Sequence, residues 1–192
     1  MSPLRRVVVG ITGASGSVFG TRLLEILQGV ADVETHAIVS KGSARTLELE
    51  LGITIDEAVA KADVVHDDED LAASVASGSF RVHGMVVAPC SIKALSGIAN
   101  SYDDTLIIRA ADVRLKERQP LVLVLRETPL HRGHLRLASM AADAGAVIFP
   151  PVPSLYVKPR SIGDLIDHSV MRICDQLGIE TEFSPRWPEE RA

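Results

Sequence analysis

The chain has 192 residues, which is enough for one domain with a sizeable hydrophobic core. Aromatic residues make up only 4% of it, so the core is built from Ala, Val, Leu and Ile, as is typical of a parallel sheet covered by helices. The net charge of -5 argues against nucleic acid as a partner, although an acidic total leaves room for a local basic pocket.

Cysteine usage and the length of the apolar runs indicate the compartment. Cys90 and Cys174 are far apart in sequence and match no metal-ligand spacing, which predicts two reduced thiols in a cytoplasmic protein. Glycines interrupt the first apolar run, so no signal peptide is predicted. The longest apolar runs have the length of strands, and we therefore expect no membrane span.

Strand and helix patterns alternate from the start of the chain. Residues 6–11 are a β-branched run that predicts the first strand, and after a glycine turn residues 18–27 show a helical pattern. Residues 33–39 predict the second strand, and residues 43–51 predict the helix that follows it.

The middle of the chain is more polar. The acidic stretch 55–77 predicts short helices around a weak strand at 64–65. Residues 85–88 predict a third main strand that Pro89 stops, because proline has no N–H for a sheet. Residues 92–99 have a helical pattern.

Two more strands and two more helices complete the pattern. Residues 121–125 and 146–149 predict strands, while residues 134–144 and 162–177 predict helices. This alternation is typical of an α/β protein with a doubly wound, mostly parallel sheet and helices on both faces, as in Rossmann-like and flavodoxin-like folds.

The chain shows no internal repeat and no long linker, so residues 1–180 are predicted to form a single domain. Residues 181–192, with Pro185 and Pro188, are predicted to form an extended C-terminal arm. Trp187 in this arm either docks on a neighbouring subunit or over a pocket, or anchors the arm to its own domain.

A glycine-rich loop at residues 10–16 separates the first strand from the first helix. Glycine allows a tight turn and a close approach to phosphate, and the helix start offers free N–H groups. The alternative is a plain strand-to-helix turn. The spacing is not that of a dinucleotide fingerprint, and the chain lacks the Tyr-x-x-x-Lys pair of short-chain dehydrogenases, because neither Tyr102 nor Tyr156 has a Lys four residues later.

A second loop follows the third strand. Ser91 is placed to cap the next helix, whose start lies beside the glycine loop, so that both loops can face one ligand. Ser91 acting only as a cap is the competing interpretation. Cys90 is interpreted as a small buried residue rather than a nucleophile. His131 and His134 are interpreted as surface or helix-start residues, and no metal site is predicted.

Charged residues surround the strand at 121–125. Lys116 precedes it and Arg126-Glu127 follow it, so we expect all three at the edge of a core element. Several cations and one carboxylate gathered there fit a phosphorylated substrate with proton transfer nearby. The alternative is a surface helix with solvated charges, since structural ion pairs also cluster in this way.

Taken together, these segments resemble the UbiX family of flavin prenyltransferases, which includes the small subunits associated with phenolic acid decarboxylases. The resemblance runs from residue 7 to 177, with a trailing match at 185–187. Six motifs carry it: Gly-Ile-Thr-Gly-Ala-Ser-Gly at 10–16, Ser40-Lys41, Pro89-Cys90-Ser91, the run 109–118, Arg126-Glu127-Thr128-Pro129, and Pro150-Pro-x-Pro-x-x-Tyr156.

The resemblance implies that the chain joins a dimethylallyl group from dimethylallyl monophosphate to reduced FMN. The product, prenylated FMN, would serve a partner UbiD-type decarboxylase. The family commonly forms dodecamers with sites at subunit interfaces, so a homo-oligomer is expected. The resemblance leaves one alternative, an FMN-binding accessory subunit of a phenolic acid decarboxylase with little activity of its own. A nicotinamide-dependent reductase or epimerase is disfavoured by the missing Tyr–Lys pair.

The resemblance also implies roles for individual residues. The residues expected to bind the flavin are Gly13, Ala14, Ser15, Ser40, Ser91, Ile92, Lys93, Ala94, Arg109 and Arg126. The residues expected to hold the phosphate of the substrate are Lys116, Arg126, Tyr156 and Arg172. The residues expected to act in catalysis are Glu50, Lys116, Arg126 and Glu127, with no metal required. The chain departs from many relatives at Ala94, Ser101, Thr105 and Leu155, which bears on flavin affinity and substrate preference.

Overall fold

The computed structural model describes residues 3–181 and 183–186 and contains one sheet with helices on both faces. In the described part of the chain the strands are β1 (Arg5–Ile11), β2 (Val33–Val39), β3 (Val64–Asp67), β4 (Gly84–Cys90), β5 (Leu121–Leu125) and β6 (Val147–Ile148). The helices are α1 (Ser17–Gln28), α2 (Ser43–Leu51), α3 (Ile55–Val59), α4 (Ile92–Ala99), α5 (Leu106–Lys116), α6 (Arg132–Asp143) and α7 (Ile162–Gln176).

The strands lie in the order β3-β2-β1-β4-β5-β6, and each recorded pairing is parallel. The predicted doubly wound α/β fold is thereby confirmed. Alternate residues of each strand enter opposite layers, as the pleat requires. Val8 and Met85 pack with α4, α5 and α6, whereas Val7 and Val86 pack with α1, α2 and α7. Both faces of the central strands are therefore buried.

The prediction that Pro89 stops the third main strand is wrong. β4 runs on to Cys90, and its pairing with β5 is irregular between Val87 and Cys90. No ladder bond needs an N–H from Pro89 at this irregularity, so proline fits inside the strand. The carbonyl of Pro89 instead accepts a hydrogen bond from the amide of Thr12 at 3.3 Å.

The surface-helix interpretation of the charged segment is also wrong. The residues of α5 that are buried are Leu106, Ile107, Ile108, Ala110, Ala111, Val113 and Arg114. The helix therefore forms part of the core, and only one stripe of it carries charge to the surface. This burial fixes where Arg109 and Lys116 emerge from the fold.

The predicted C-terminal arm lies partly outside the described residues, and this includes Trp187 and Pro188. Arg186 is described and contacts α7. No helix in the described ranges is both long and apolar enough to cross a lipid bilayer.

Candidate active site

Two loops face each other where the strand order of the sheet reverses. β2 lies on one side of β1 and β4 on the other, so the carboxyl ends of β1 and β4 border a crevice of the kind that binds ligands in such folds. Thr12 joins the two loops. Its hydroxyl donates to the carbonyl of Pro89 at 2.7 Å and accepts from the amide of Ser91 at 2.8 Å. These two bonds hold the loops at a fixed separation.

A cavity of about 480 Å³ opens at this crevice. The predicted flavin ligands that line it are Gly13, Ser40, Ser91, Lys93 and Ala94. The lining residues that were not predicted are Thr12, Lys41, Gly42, Asp68, Glu69, Thr105, Ile107 and Ile108. Ile92 lies next to this cavity and, with Lys93 and Ile108, lines a second cavity of about 790 Å³ beside α6.

The glycine loop passes very close to the loop after β2. A Cβ on Gly13 would lie 2.7 Å from the carbonyl oxygen of Gly42, which is too short for any real contact. Only glycine therefore fits at this position, and the loop can lie flat along the cavity wall. Ser40 follows β2 at the same edge, and its hydroxyl lies 3.0 Å from that of Ser43.

Ser91 caps α4, as predicted. Its hydroxyl oxygen accepts a hydrogen bond from the amide of Ala94 at 3.2 Å. Because Ser91 also lines the cavity, the cap and the ligand roles are compatible at one residue. The start of an eight-residue helix faces the cavity and gives its wall a positive electrostatic character.

Glu50 reaches from α2 to the glycine loop. Its Oε2 accepts hydrogen bonds from the amides of Gly16 at 2.9 Å and Ser17 at 3.0 Å. Burial tends to raise the pKa of Glu50, but hydrogen bonds from the Ser15 hydroxyl and from these two amides outweigh it, and the net pKa is lowered. The carboxylate is therefore ionised at neutral pH and caps α1.

Asp68 is a cavity residue that sequence reasoning missed. It follows β3 and is 7% exposed, and its Oδ1 accepts from the amide of Ile107 at 2.9 Å. Burial raises the pKa of Asp68, against the hydrogen bonds from Ile107 and Thr105 that lower it. The carboxyl holds the first turn of α5 against the cavity. Because Asp68 stands in an acidic stretch, no sequence signal separated it from surface carboxylates.

Arg126 lies at the glycine loop, whereas Glu127 faces solvent. The Arg126 amide donates to the carbonyl of Cys90 at 3.2 Å, and its Cγ would lie 3.8 Å from a Cβ on Gly16. Within the described residues, no hydrogen bond or ion pair engages the Arg126 guanidinium. Glu127 is exposed, and its carboxylate accepts from the amide of Thr128 at 2.9 Å.

The prediction that Lys116 gathers with Arg126 and Glu127 at one edge is wrong within a single chain. Lys116 is the last residue of α5 and precedes β5, whereas Arg126 follows the carboxyl end of that strand. Lys116 pairs with Glu117 beside Gly78, in the segment that leads into the amino end of β4. Five strand residues of β5 separate the two edges by about 16 Å.

Arg109 also lies away from the cavity lining. It pairs with Asp103 at 2.9 Å, and its Nε donates to the carbonyl of Ala76 at 3.3 Å. Its partner segment contains Ser101, which has a φ of 49° in the left-handed region that favours glycine. Arg109 thus holds the turn before α5, and its expected contact with the flavin stays a prediction.

Tyr156 contacts α7, the helix that carries Arg172. The hydroxyl of Tyr156 lies 3.1 Å from Nε2 of His168, and Arg172 lies one helical turn further on. Burial lowers the pKa of His168, and the positive charge of Arg172 lowers it further. The side chain of Arg172 is 50% exposed and lies 3.4 Å from Asp175. The pair of predicted phosphate ligands is therefore close together and open to solvent.

Cys90 and His131, the remaining residues that the sequence singled out, lie in a buried strand and at the start of α6. Burial raises the pKa of Cys90 to about 12, so its thiol is not ionised at neutral pH. His131 caps α6, with its Nδ1 accepting from the amide of Gly133 at 3.0 Å. Across the described residues, no group of three or more His, Cys, Asp and Glu side chains is arranged to hold a metal ion.

Replacing Glu50 tests its role as the cap of the glycine loop. We expect Glu50→Gln to cost about 1–2 kcal/mol of stability, because one amide oxygen replaces a carboxylate that accepts from two backbone amides. The pKa of Glu50 is lowered on folding, so its contribution is complete above the usual value of 4.5 and is lost as the pH falls through the folded value.

The measurement is urea unfolding between pH 3 and pH 7, with Glu48→Gln as the matched control. Glu48 lies on the same helix but pairs at the surface with Arg45. The wild-type protein should lose more stability on acidification than Glu50→Gln does. Equal pH dependence in both proteins contradicts the capping role.

Comparisons with known proteins agree with the fold and the crevice. A family model described as Flavoprotein matches residues 1–173. The chain is 56% identical to the flavin prenyltransferase UbiX of Escherichia coli (strain K12) over 186 residues. This alignment covers 96% of this chain and 98% of the relative. It is 50% identical over 188 residues to the UbiX of Thauera aromatica, covering 97% of this chain and 96% of the relative.

Two solved structures that resemble this chain are a UbiX and a UbiX-like protein. A UbiX in complex with FMN and dimethylallyl pyrophosphate superposes with a TM-score of 0.94 at 48% identity, over 98% of this chain and 100% of that one. A dodecameric FMN-dependent UbiX-like decarboxylase from Escherichia coli O157:H7 superposes with a TM-score of 0.93 at 43% identity, over 96% of this chain and 100% of that one.

The doubly wound sheet and the crevice between β1 and β4 define a protein of the flavoprotein class. Within that class, the chain belongs to the UbiX family of flavin prenyltransferases. The resemblance that the sequence motifs carried is confirmed.

Proposed function

We propose that this chain transfers the dimethylallyl group of dimethylallyl monophosphate to reduced FMN and releases prenylated FMN and phosphate. The observation that carries this proposal is the cavity between the β1 and β4 loops, lined by Gly13, Ser40, Ser91 and Lys93. A relative with a TM-score of 0.94 is described as a complex with FMN and dimethylallyl pyrophosphate.

The groups that line the cavity fit the phosphate of a flavin and the polar edge of its ring system. Backbone amides of the glycine loop and the start of α4 suit an anion. Lys93 adds a cation, and Ile107 and Ile108 provide an apolar wall for a ring system. Arg126 stands beside the glycine loop, where its guanidinium can meet both the flavin and the second substrate.

We further propose that neighbouring subunits complete the phosphate site. In one chain the expected phosphate ligands occupy separate places. Arg126 lies at the carboxyl edge of β5 and Lys116 before its amino end, whereas Arg172 lies on α7 and Tyr156 contacts that helix from the segment before it. A dodecameric relative supports an assembly that brings such places together. In such an assembly, phosphate ligands that are far apart in one chain can act together at a site between subunits.

The chemistry follows from the charges of these residues. An allylic phosphate breaks its carbon–oxygen bond readily when cations hold the departing phosphate in a site that excludes water. Lys116, Arg126 and Arg172 can hold that charge without a metal. N5 of the reduced flavin would lose its proton as it bonds to the allylic carbon that releases phosphate. Addition of a proton to the remaining double bond and loss of the proton on C6 would then allow a second bond, at C6, to close the added ring. Glu127, exposed in one chain, is the carboxylate we assign to proton transfer at this step.

The product is proposed to serve a UbiD-type decarboxylase. Cys90 and Cys174 are free thiols, which supports the cytoplasm as the compartment for this reaction. A second candidate function comes from relatives that are described as decarboxylases. On that hypothesis the chain is an FMN-binding accessory subunit of a phenolic acid decarboxylase with little activity of its own.

Anaerobic incubation with reduced FMN and dimethylallyl monophosphate tests the proposal. We expect mass spectrometry of the released flavin to show one added five-carbon unit, with the same yield in EDTA, because arginine and lysine supply the cationic groups. A protein that retains FMN but adds no carbon supports the accessory-subunit hypothesis. Loss of activity in EDTA, with recovery in magnesium, contradicts the metal-free reaction.

A further inference from the structure

One face of α7 carries a row of polar residues that includes the expected phosphate ligand Arg172. His168, Arg172 and Asp175 follow each other at helical spacing, so their side chains share one face. Tyr156 contacts the first of them, and Arg186 from the C-terminal arm contacts the last. The arm and the expected phosphate site therefore meet on a single helix.

Asp175 is shared unequally between two arginines. Arg186 pairs with both of its oxygens: Nη1 donates to Oδ2 at 2.9 Å and Nη2 donates to Oδ1 at 2.8 Å. Arg172 has only a longer contact, with its Nη1 at 3.4 Å from Oδ2. A two-pronged pair of this kind is the strong arrangement for arginine and carboxylate, so Arg186 dominates at Asp175.

The charges of this cluster favour an anionic substrate only while Arg186 is present. Arg172, Asp175 and Arg186 together carry a net charge of +1. Without Arg186 the remaining pair is neutral, and the Asp175 carboxylate is open to two-pronged pairing with Arg172. The guanidinium of Arg172 would then be occupied by its own helix rather than by a phosphate.

We propose that Arg186 is a positioning residue for the phosphorylated substrate: it occupies both oxygens of Asp175 and so keeps the Arg172 guanidinium available to the phosphate. The inference rests on the proposed function, in which Arg172 binds the substrate phosphate. Arg186 itself also donates to the carbonyl of Thr181 at 3.1 Å, which fixes the arm at the end of α7.

Steady-state kinetics of Arg186→Ala are the first part of the test. We expect the KM for dimethylallyl monophosphate to rise about tenfold, while the Kd for FMN stays within about twofold of the wild-type value. The control is Arg45→Ala, which removes one exposed positive charge from α2, and it should leave the KM unchanged.

A second variant distinguishes two roles of Arg186: keeping Arg172 available to the phosphate, and holding the C-terminal arm at the end of α7. In Arg186→Ala/Asp175→Asn the carboxylate is gone, so Arg172 is released again and the KM should return to within about threefold of wild type. If Arg186 only fastens the arm, the double variant keeps the high KM, and the positioning role is wrong. Unfolding midpoints of all variants establish that each protein is folded.

Arg172→Ala, measured in the same series, shows whether a negative result contradicts the proposed role of Arg172 or only the inference about Arg186. If it leaves the KM unchanged, the assignment of Arg172 under the proposed function is wrong, and the role of Arg186 is wrong with it. If Arg172→Ala raises the KM but Arg186→Ala does not, the proposed function stands and the inference about Arg186 alone is overturned.

Discussion

Co-expression of Lys116→Ala chains with Arg126→Ala chains is expected to restore part of the flavin prenylation activity that each variant loses on its own. Each single variant should lose at least tenfold in activity, because each removes a charge-assisted bond to phosphate. Lys116 precedes β5 and Arg126 follows it, so one chain cannot present both to one phosphate. Sites between subunits can combine an intact Lys116 from one chain with an intact Arg126 from another.

Random mixing of the two chains should give about one quarter of the wild-type number of sites, if each site draws these residues from two subunits. The measurement is product formation by oligomers purified through two different tags. The control pairs Lys116→Ala chains with Lys116→Ala/Arg126→Ala chains, in which no site is intact. Activity of the test mixture at the level of this control means that the two residues do not act together across subunits.

Gly20→Ala is expected to destabilise the protein by at least about 3 kcal/mol, which lowers Tm by roughly 6–12 °C. A Cβ on Gly20 would lie 2.3 Å from the carbonyl oxygen of Ala88 and 2.8 Å from Cγ1 of Ile11. Both neighbours belong to central strands, so α1 would have to move away from the sheet. That movement also displaces the glycine loop, and we expect FMN affinity to fall together with stability.

Gly29→Ala is the matched control on the same helix. Gly29 ends α1 with a φ of -80°, and its added Cβ would have only an ordinary contact, 3.4 Å from the carbonyl oxygen of Ile26. Its stability should stay within about 1 kcal/mol of the wild-type value. Thermal unfolding of both variants and FMN titration of the folded proteins are the measurements. Similar losses in both variants would show that close packing of α1 is not the cause.

The sequence by itself determined the order along the chain of the strands and of the helices other than α5. β2, α2, α4 and β5 begin and end at the predicted residues, because each is a short run with a strong pattern and clear boundaries. The same patterns predicted the crevice, since a doubly wound sheet places the glycine turn after the first strand beside the capping serine after Pro89. The motifs shared with the UbiX family supplied the substrates and the expected site residues.

Only the tertiary structure decided which of those residues lie together. Lys116 and Arg126 are ten positions apart in sequence, but a parallel strand between them places them at opposite edges of the sheet. Asp68 lines the cavity because it contacts α5, and Glu50 caps α1 from α2. Both positions depend on contacts between separate elements, which the local sequence pattern does not predict. The physical reason is general: periodicity fixes which face of an element is buried, whereas packing between distant elements fixes which polar groups converge.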